Sequence, residues 1–390
     1  MIHLAEGMGR LGTETAFEVL ARAEALKAQG RDIVNLGIGQ PDFRTPEHIV
    51  EAAVKALRDG HHGYTPANGI LPLREAIAAE WLKRHRVAVD PGRILVVPGG
   101  KVTMFFAIAM TGEKGAEIVY PNPGFPIYES VIRWTGATPV PLPLLEKNGF
   151  AFKAEDVLKL VTPRTRLIII NSPANPTGGV TPRAEVEKLA QGLEKHPDVA
   201  VLSDEIYGRI VYGRNEHVSL LEFESLRDRL ILLDGFSKTY AMTGWRVGYA
   251  LWPKAMIEGA VRLAVNCHSC VNAASQWAGI AALQGPQDAV DRMVKAFDER
   301  RRYIVGALNQ TPGLSCVEPG GAFYVFPNVA GTGLTAKQAQ TKLLEEAGVA
   351  TVAGTSFGSY GEGYLRFSYA NSLDNIKEAI RRVAACLNGR

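Results

Sequence analysis

The stretch RLIIINSPANPTGG, residues 166–179, sets the architecture. Leucine and three isoleucines run without a polar interruption, then stop at a stiff loop of two asparagines, two prolines and two glycines. A strand with one face in water alternates apolar and polar residues, so an unbroken run means both faces are covered. Five more runs read the same way: RILVVP (93–98), EIVY (117–120), VAVLS (199–203), RLILL (229–233) and RVGYAL (246–251). Helical patterns lie between them, at 102–111, 125–135 and 183–196, the last with Thr181 as N-cap and Pro182 in its first turn. Strands alternating with helices predict an α/β domain with a mostly parallel, doubly wound sheet flanked by helices.

The two ends of the chain read differently. One helix is expected over 13–30, stopped by Gly30, and a long charged one from about 287 to 308. Short strands (321–326, 364–369) then mix with helices (336–347, 372–387). This predicts a large domain over 48–285 and a smaller α+β domain built from both termini, 1–47 and 286–390.

Composition narrows the function classes. The chain has 390 residues, 46% hydrophobic and 21% charged, as in a soluble globular protein rather than a disordered or fibrous one. Lys plus Arg is 43 and Asp plus Glu is 40, a net charge of 43 − 40 = +3, which gives no global basic field for nucleic acid. No apolar run reaches the ~20 residues of a membrane helix. The opening MIHLAEGMGRLGTE lacks the apolar segment of a secretory signal. Four cysteines cannot build a disulfide framework. A cytoplasmic protein is expected. Cys267 and Cys270 are spaced C-x-x-C, but no second pair or histidine cluster completes a metal site, so they read as buried helix cysteines. His61 and His62 read as a solvated turn.

Four motifs carry chemistry. In DGFSKTYAMTGWRVG (234–248), Lys238 follows a buried strand. Desolvation there lowers its pKa and frees the amine as a nucleophile; a solvated loop lysine is the ordinary alternative. In VLSDEIY (201–207), Asp204 stands at a strand's C-terminal end, where open α/β sheets bind ligands. A carboxylate buried there needs a cation, such as a protonated ring nitrogen, although a helix N-cap would also explain it. NSPANPTGG (171–179) makes a stiff loop directly after a strand end; an ordinary turn is the alternative. In VVPGGKVTM (96–104), Gly99-Gly100 joins strand to helix, where backbone N–H groups can cradle a phosphate.

Together and in this order the motifs resemble the class I/II aminotransferases, pyridoxal-phosphate enzymes of fold type I. The family's lysine signature is matched by GFSKTYAMTGWRVG (235–248). The resemblance extends to NLGIGQPDF (35–43), GYTPANGILPLREAIA (63–78), YPNPGFPIY (120–128), GGAFYVFP (320–327) and GYLRFSYA (363–370).

The resemblance implies roles. Lys238 would hold pyridoxal 5′-phosphate covalently and, once freed, move the proton between the substrate Cα and the cofactor's C4′. Asp204 would pair with the protonated pyridine nitrogen. Tyr207 and Asn175 would bond the phenolic oxygen, and Phe125 would stack on the ring. Arg246, the N–H groups of Gly100, Lys101 and Val102, and Ser237 would hold the phosphate. Tyr64 would reach the phosphate of a neighbouring subunit, which makes a homodimer with shared sites the expected assembly. Arg366, Gly39 and Asn175 would bind the substrate α-carboxylate.

The implied reaction is ping-pong transfer of an amino group between an amino acid and a 2-oxo acid. No cation for a distal carboxylate can be placed from sequence. The pocket rim is expected to include 11–15 and the neighbourhood of Ile38, with Glu14 able to recruit a basic substrate. Asn266, Cys267 and His268 are further candidates at the mouth. The alternative activity is a pyridoxal-phosphate-dependent C–S (β-elimination) lyase on the same fold. A ligand-sensing regulator is disfavoured, because only about thirty residues precede the match.

Overall fold

The computed structural model describes residues 2–388. Its centre is a seven-stranded sheet: β1 (Ile94–Val97), β2 (Glu117–Asn122), β3 (Thr138–Pro143), β4 (Thr165–Asn171), β5 (Ala200–Asp204), β6 (Leu230–Gly235) and β7 (Gly248–Leu251), in the order β1-β7-β6-β5-β4-β2-β3. Every neighbouring pair is parallel except the two made by β7. A parallel return needs a long crossover, usually helical. Only the loop 236–247 joins β6 to β7, so β7 runs back beside its predecessor. That loop carries Lys238 and Arg246.

The unbroken apolar runs have the cause expected. Within single strands, alternate residues enter two separate cores. Leu95, Leu167, Ile169, Leu202, Ile231 and Leu233 face one. Ile94, Val96, Ile168, Ile170, Val201 and Leu232 face the other. Helices Lys101–Thr111, Ile127–Thr135 and Ile257–His268 pack on the first side. Glu47–Arg58, Leu71–His85, Arg183–Leu193 and Ala273–Gln284 cover the second.

Sequence reading passes over β3 because Pro139, Pro141 and Pro143 punctuate it. It is an edge strand, where missing N–H groups cost no ladder bonds. At the opposite edge, the Val96 N–H of β1 donates to the Asn68 carbonyl, so the loop 63–69 lies along that strand. Helix Arg183–Leu193 starts where expected but ends three residues earlier than the expected 196. Pro182 is its N-cap rather than its first helical residue, and no side chain caps it. Helix Ile127–Thr135 likewise starts after Pro126, not at Phe125.

Around this sheet lies a three-stranded antiparallel sheet of β8 (Tyr324–Val325), β9 (Val352–Ala353) and β10 (Leu365–Ser368), in the order β9-β10-β8. A short parallel pair joins Val34–Asn35 to Val349–Ala350. Helices Thr15–Ala28, Asp288–Asn309, Ala336–Glu345 and Leu373–Asn388 accompany them. Among the described residues no helix is long and apolar enough to cross a membrane.

Candidate active site

The C-terminal ends of β4, β5 and β6 open onto a cavity of about 590 Å³. Asn171 ends β4 and is in register with Asp204, which ends β5. The Asn171 amide donates to the Asp204 carbonyl (2.9 Å), and its oxygen accepts the Asn175 N–H (2.9 Å). One side chain thus ties two strand ends to the loop that carries Asn175.

Asp204 is buried. Its carboxylate accepts from the Tyr128 hydroxyl (2.6 Å) and the Ile206 N–H (3.3 Å). Burial raises its pKa to about 6, with those two hydrogen bonds pulling the other way. Among the described residues no cation pairs with it.

Lys238 lines the cavity wall, and its amine donates to the Gly39 carbonyl (2.6 Å). Burial lowers its pKa to about 8, helped by the charges of Arg366 and Arg246. The desolvated amine read from sequence is therefore present, and among the described residues no carboxylate pairs with it.

Arg366 is buried on β10. Its guanidinium donates to Asn175 Oδ1 (2.9 Å) and to the Gly37 carbonyl (2.5 Å). It lies 4.7 Å from the ring centres of both Tyr324 and Phe357, while its Nε has no partner. The Tyr207 hydroxyl meets the Tyr324 hydroxyl at 2.8 Å.

Arg246 adopts a left-handed backbone (φ 51°) and donates to the carbonyls of Thr243 and Pro98. Its guanidinium lies against Gly99 so closely that a Cβ there would fall 2.2 Å from Nη2. A Cβ on Gly248 would fall 2.7 Å from the Gly100 nitrogen. The cradle therefore requires both glycines. Ser237, Gly100 and Lys101 line the cavity with Arg246. Val102 does not, and its N–H already donates to the Gly99 carbonyl.

Phe125 forms part of the wall, with the Lys101 ammonium 5.4 Å from its ring centre. Glu14 pairs with Lys101, which leaves it less free to recruit a basic substrate. Of the expected rim, Glu14, Thr15 and Ile38 line the cavity; residues 11–13 do not. Tyr64 is 94% exposed and outside this chain's cavity, as are Asn266, Cys267 and His268. The buried-cysteine reading is corrected: Cys267 is exposed, and Cys270 is half-buried just beyond its helix. Among the described residues no metal-binding cluster occurs.

Sequence reading missed two residues here. Tyr128 lies in the quoted YPNPGFPIY and Tyr324 in GGAFYVFP, but a tyrosine on an apolar helix face or strand reads as core until the fold shows what its hydroxyl meets.

The residues present fit pyridoxal phosphate and an amino acid. A buried carboxylate lacks a cation, a buried guanidinium lacks an anion, and a glycine-lined cradle lies beside an arginine. The aminotransferase class I and II family model matches residues 31–383, and the chain belongs to that family. It is an aminotransferase. It is 37% identical to an aspartate aminotransferase of Geobacillus stearothermophilus, over 99% of each chain. It is 38% identical to aromatic-amino-acid aminotransferase 2 of Thermococcus litoralis, over 92% of this chain and 93% of that one. The crystal structure of the Rhizobium meliloti aspartate aminotransferase superposes with a TM-score of 0.95 at 34% identity, covering 100% of this chain and 99% of that one.

Proposed function

We propose that this aminotransferase uses pyridoxal 5′-phosphate to move an amino group between an amino acid and a 2-oxo acid in a ping-pong cycle. The observation that carries the reading is that Lys238, Asp204 and Arg366 all line one cavity without a counter-ion of their own. Bound there, the cofactor supplies an aldehyde and a cationic, electron-accepting ring.

Each side chain then has a task. Asp204 faces the ring nitrogen, and that cation offsets the cost of burying the carboxylate. Tyr207 and Asn175 donate to the phenolic oxygen, and Phe125 stacks on the ring. Arg246, Ser237 and the amides of Gly100 and Lys101 hold the phosphate. Lys238 anchors the cofactor. Its Nζ then takes the proton from the substrate Cα, and a pKa near 8 leaves part of it as free base at neutral pH. Arg366, with the Gly39 N–H and the Asn175 amide, receives the α-carboxylate of donor and acceptor in turn.

Residues 48–285 form the cofactor-holding body in this reading, and 1–47 with 286–390 the smaller one; the cavity draws residues from both. Tyr64 of a second copy completes the site, so the working unit is a homodimer. The unpaired cysteines suit a reducing cytoplasm. Relatives named for aspartate and for aromatic amino acids set the first donors to try.

Borohydride reduction of the yellow holoenzyme followed by peptide mapping tests the anchor: the label belongs on Lys238, and a label on another lysine overturns the assignment. Aspartate and phenylalanine, each with 2-oxoglutarate, should bleach and restore the cofactor colour in separate half-reactions. Pyruvate and ammonia released from a β-substituted amino acid without an acceptor would instead mark the lyase.

A further inference from the structure

Tyr324 has no part in the reading above, yet it touches three groups that do. Its ring is buried and packs against Arg366, 4.7 Å from the ring centre, and against Phe323 and Tyr207 at 4.9 and 5.8 Å. A methyl group on Gly39 would fall 2.1 Å from its hydroxyl, so the Gly39 backbone, whose carbonyl accepts a hydrogen bond from the Lys238 amine, is seated on it. The ring cannot swing away. Among the described residues its hydroxyl has one partner, the Tyr207 hydroxyl at 2.8 Å, and the Tyr207 hydroxyl has no other.

Two hydroxyls sharing one hydrogen bond hold two protons, and only one lies between them. Burial raises the pKa of both, and the Arg366 charge opposes the rise at each, so both hydroxyls keep their protons near neutral pH. Tyr207 has a single proton, and when it is given to the cofactor's phenolic oxygen it is not available to Tyr324, so Tyr324 donates and the Tyr207 oxygen accepts. That leaves the Tyr207 proton pointing away from Tyr324, and the donated bond polarises the Tyr207 O–H.

We propose that Tyr324 is a positioning residue that sets the direction and strength of the hydrogen bond Tyr207 gives to the cofactor's phenolic oxygen, and so tunes the proton affinity of the bound cofactor. This rests on the role given to Tyr207. Stronger donation stabilises the ionised phenolic oxygen, so its loss makes the bound cofactor hold its proton to higher pH.

The test is the pH midpoint of the visible absorption change of the substrate-free holoenzyme. Tyr324→Phe keeps the ring and its packing. It should move the midpoint upward by about half a pH unit, a roughly threefold change in proton affinity. Tyr207→Phe should move it further in the same direction. The double variant should match Tyr207→Phe alone, because Tyr324 acts only through that hydroxyl. An unmoved midpoint in Tyr207→Phe would refute the role of Tyr207 and the proposal with it. A shift in Tyr207→Phe with none in Tyr324→Phe, or additive shifts in the double variant, would refute the proposal alone.

Discussion

Replacing Arg366 by lysine keeps the charge and removes the fork. A guanidinium has five N–H donors and an ammonium three. In the structure one donor goes to Asn175 Oδ1 and one to the Gly37 carbonyl, which leaves three, the unpartnered Nε–H among them. Two of those can grip a carboxylate side by side. A lysine that kept both protein contacts would have one donor left. The variant therefore loses about one charge-assisted hydrogen bond, ~1.5–3 kcal/mol. At ~1.4 kcal/mol per factor of ten, kcat/KM should fall by roughly 10- to 150-fold. Stacking between Tyr324 and Phe357 also favours the planar group, which pushes toward the upper end. The assay is stopped-flow measurement of each half-reaction, amino acid on one side and 2-oxo acid on the other. Both must slow by a similar factor, with cofactor affinity unchanged. A loss confined to one half-reaction, or smaller than threefold in both, would show that Arg366 is not a shared carboxylate clamp.

Two further outcomes follow from the geometry. Gly99→Ala forces a side chain into a position with φ 92° and onto the Arg246 guanidinium. The cofactor dissociation constant, read by absorbance titration, should rise at least ~10-fold through loss of one charge-assisted phosphate contact; an unchanged constant in a folded variant would rule out the cradle. Tyr128→Phe removes the leading hydrogen bond that restrains the Asp204 pKa, so it should climb further above its value of about 6. A carboxyl raised above its ordinary 3.8 binds more protons folded than unfolded, so stability falls as pH rises through that window. In cofactor-stripped protein the variant should therefore lose more melting temperature at pH 7 than at pH 5, corresponding to ~1–2 kcal/mol; an equal loss at both pH values would mean that Tyr128 only packs.

How much the sequence discloses depends on how local the cause is. Runs such as RLIII and RLILL are legible because covering both faces leaves no polar position in the strand itself. Lys238, Asp204 and Asn175 are legible because each follows such a run, and strand ends are where a parallel sheet gathers its chemistry. β3 is hidden by prolines that are tolerated only at an edge, and an edge is a property of the assembled sheet. The reversed direction of β7 follows from a loop too short for a crossover helix. Tyr128 and Tyr324 have no local signal. Each is one aromatic among several, and its hydroxyl acquires a function only when Asp204 or Tyr207, 76 and 117 residues away in the sequence, is brought to it.

In the proposed dimer the loop 63–69 would have two duties that shortening it cannot separate. Through Asn68 it occupies one donor on one flank of the great sheet, as the prolines of β3 remove donors on the other, and both make the rims poorer templates for a stranger's backbone. The same few residues hold Tyr64 out into water, where a second copy could receive it. Shortening this loop would thus bare a sticky margin and withdraw the reaching side chain in one stroke, leaving a protein that clumps and one that has lost its partner's touch indistinguishable by activity alone.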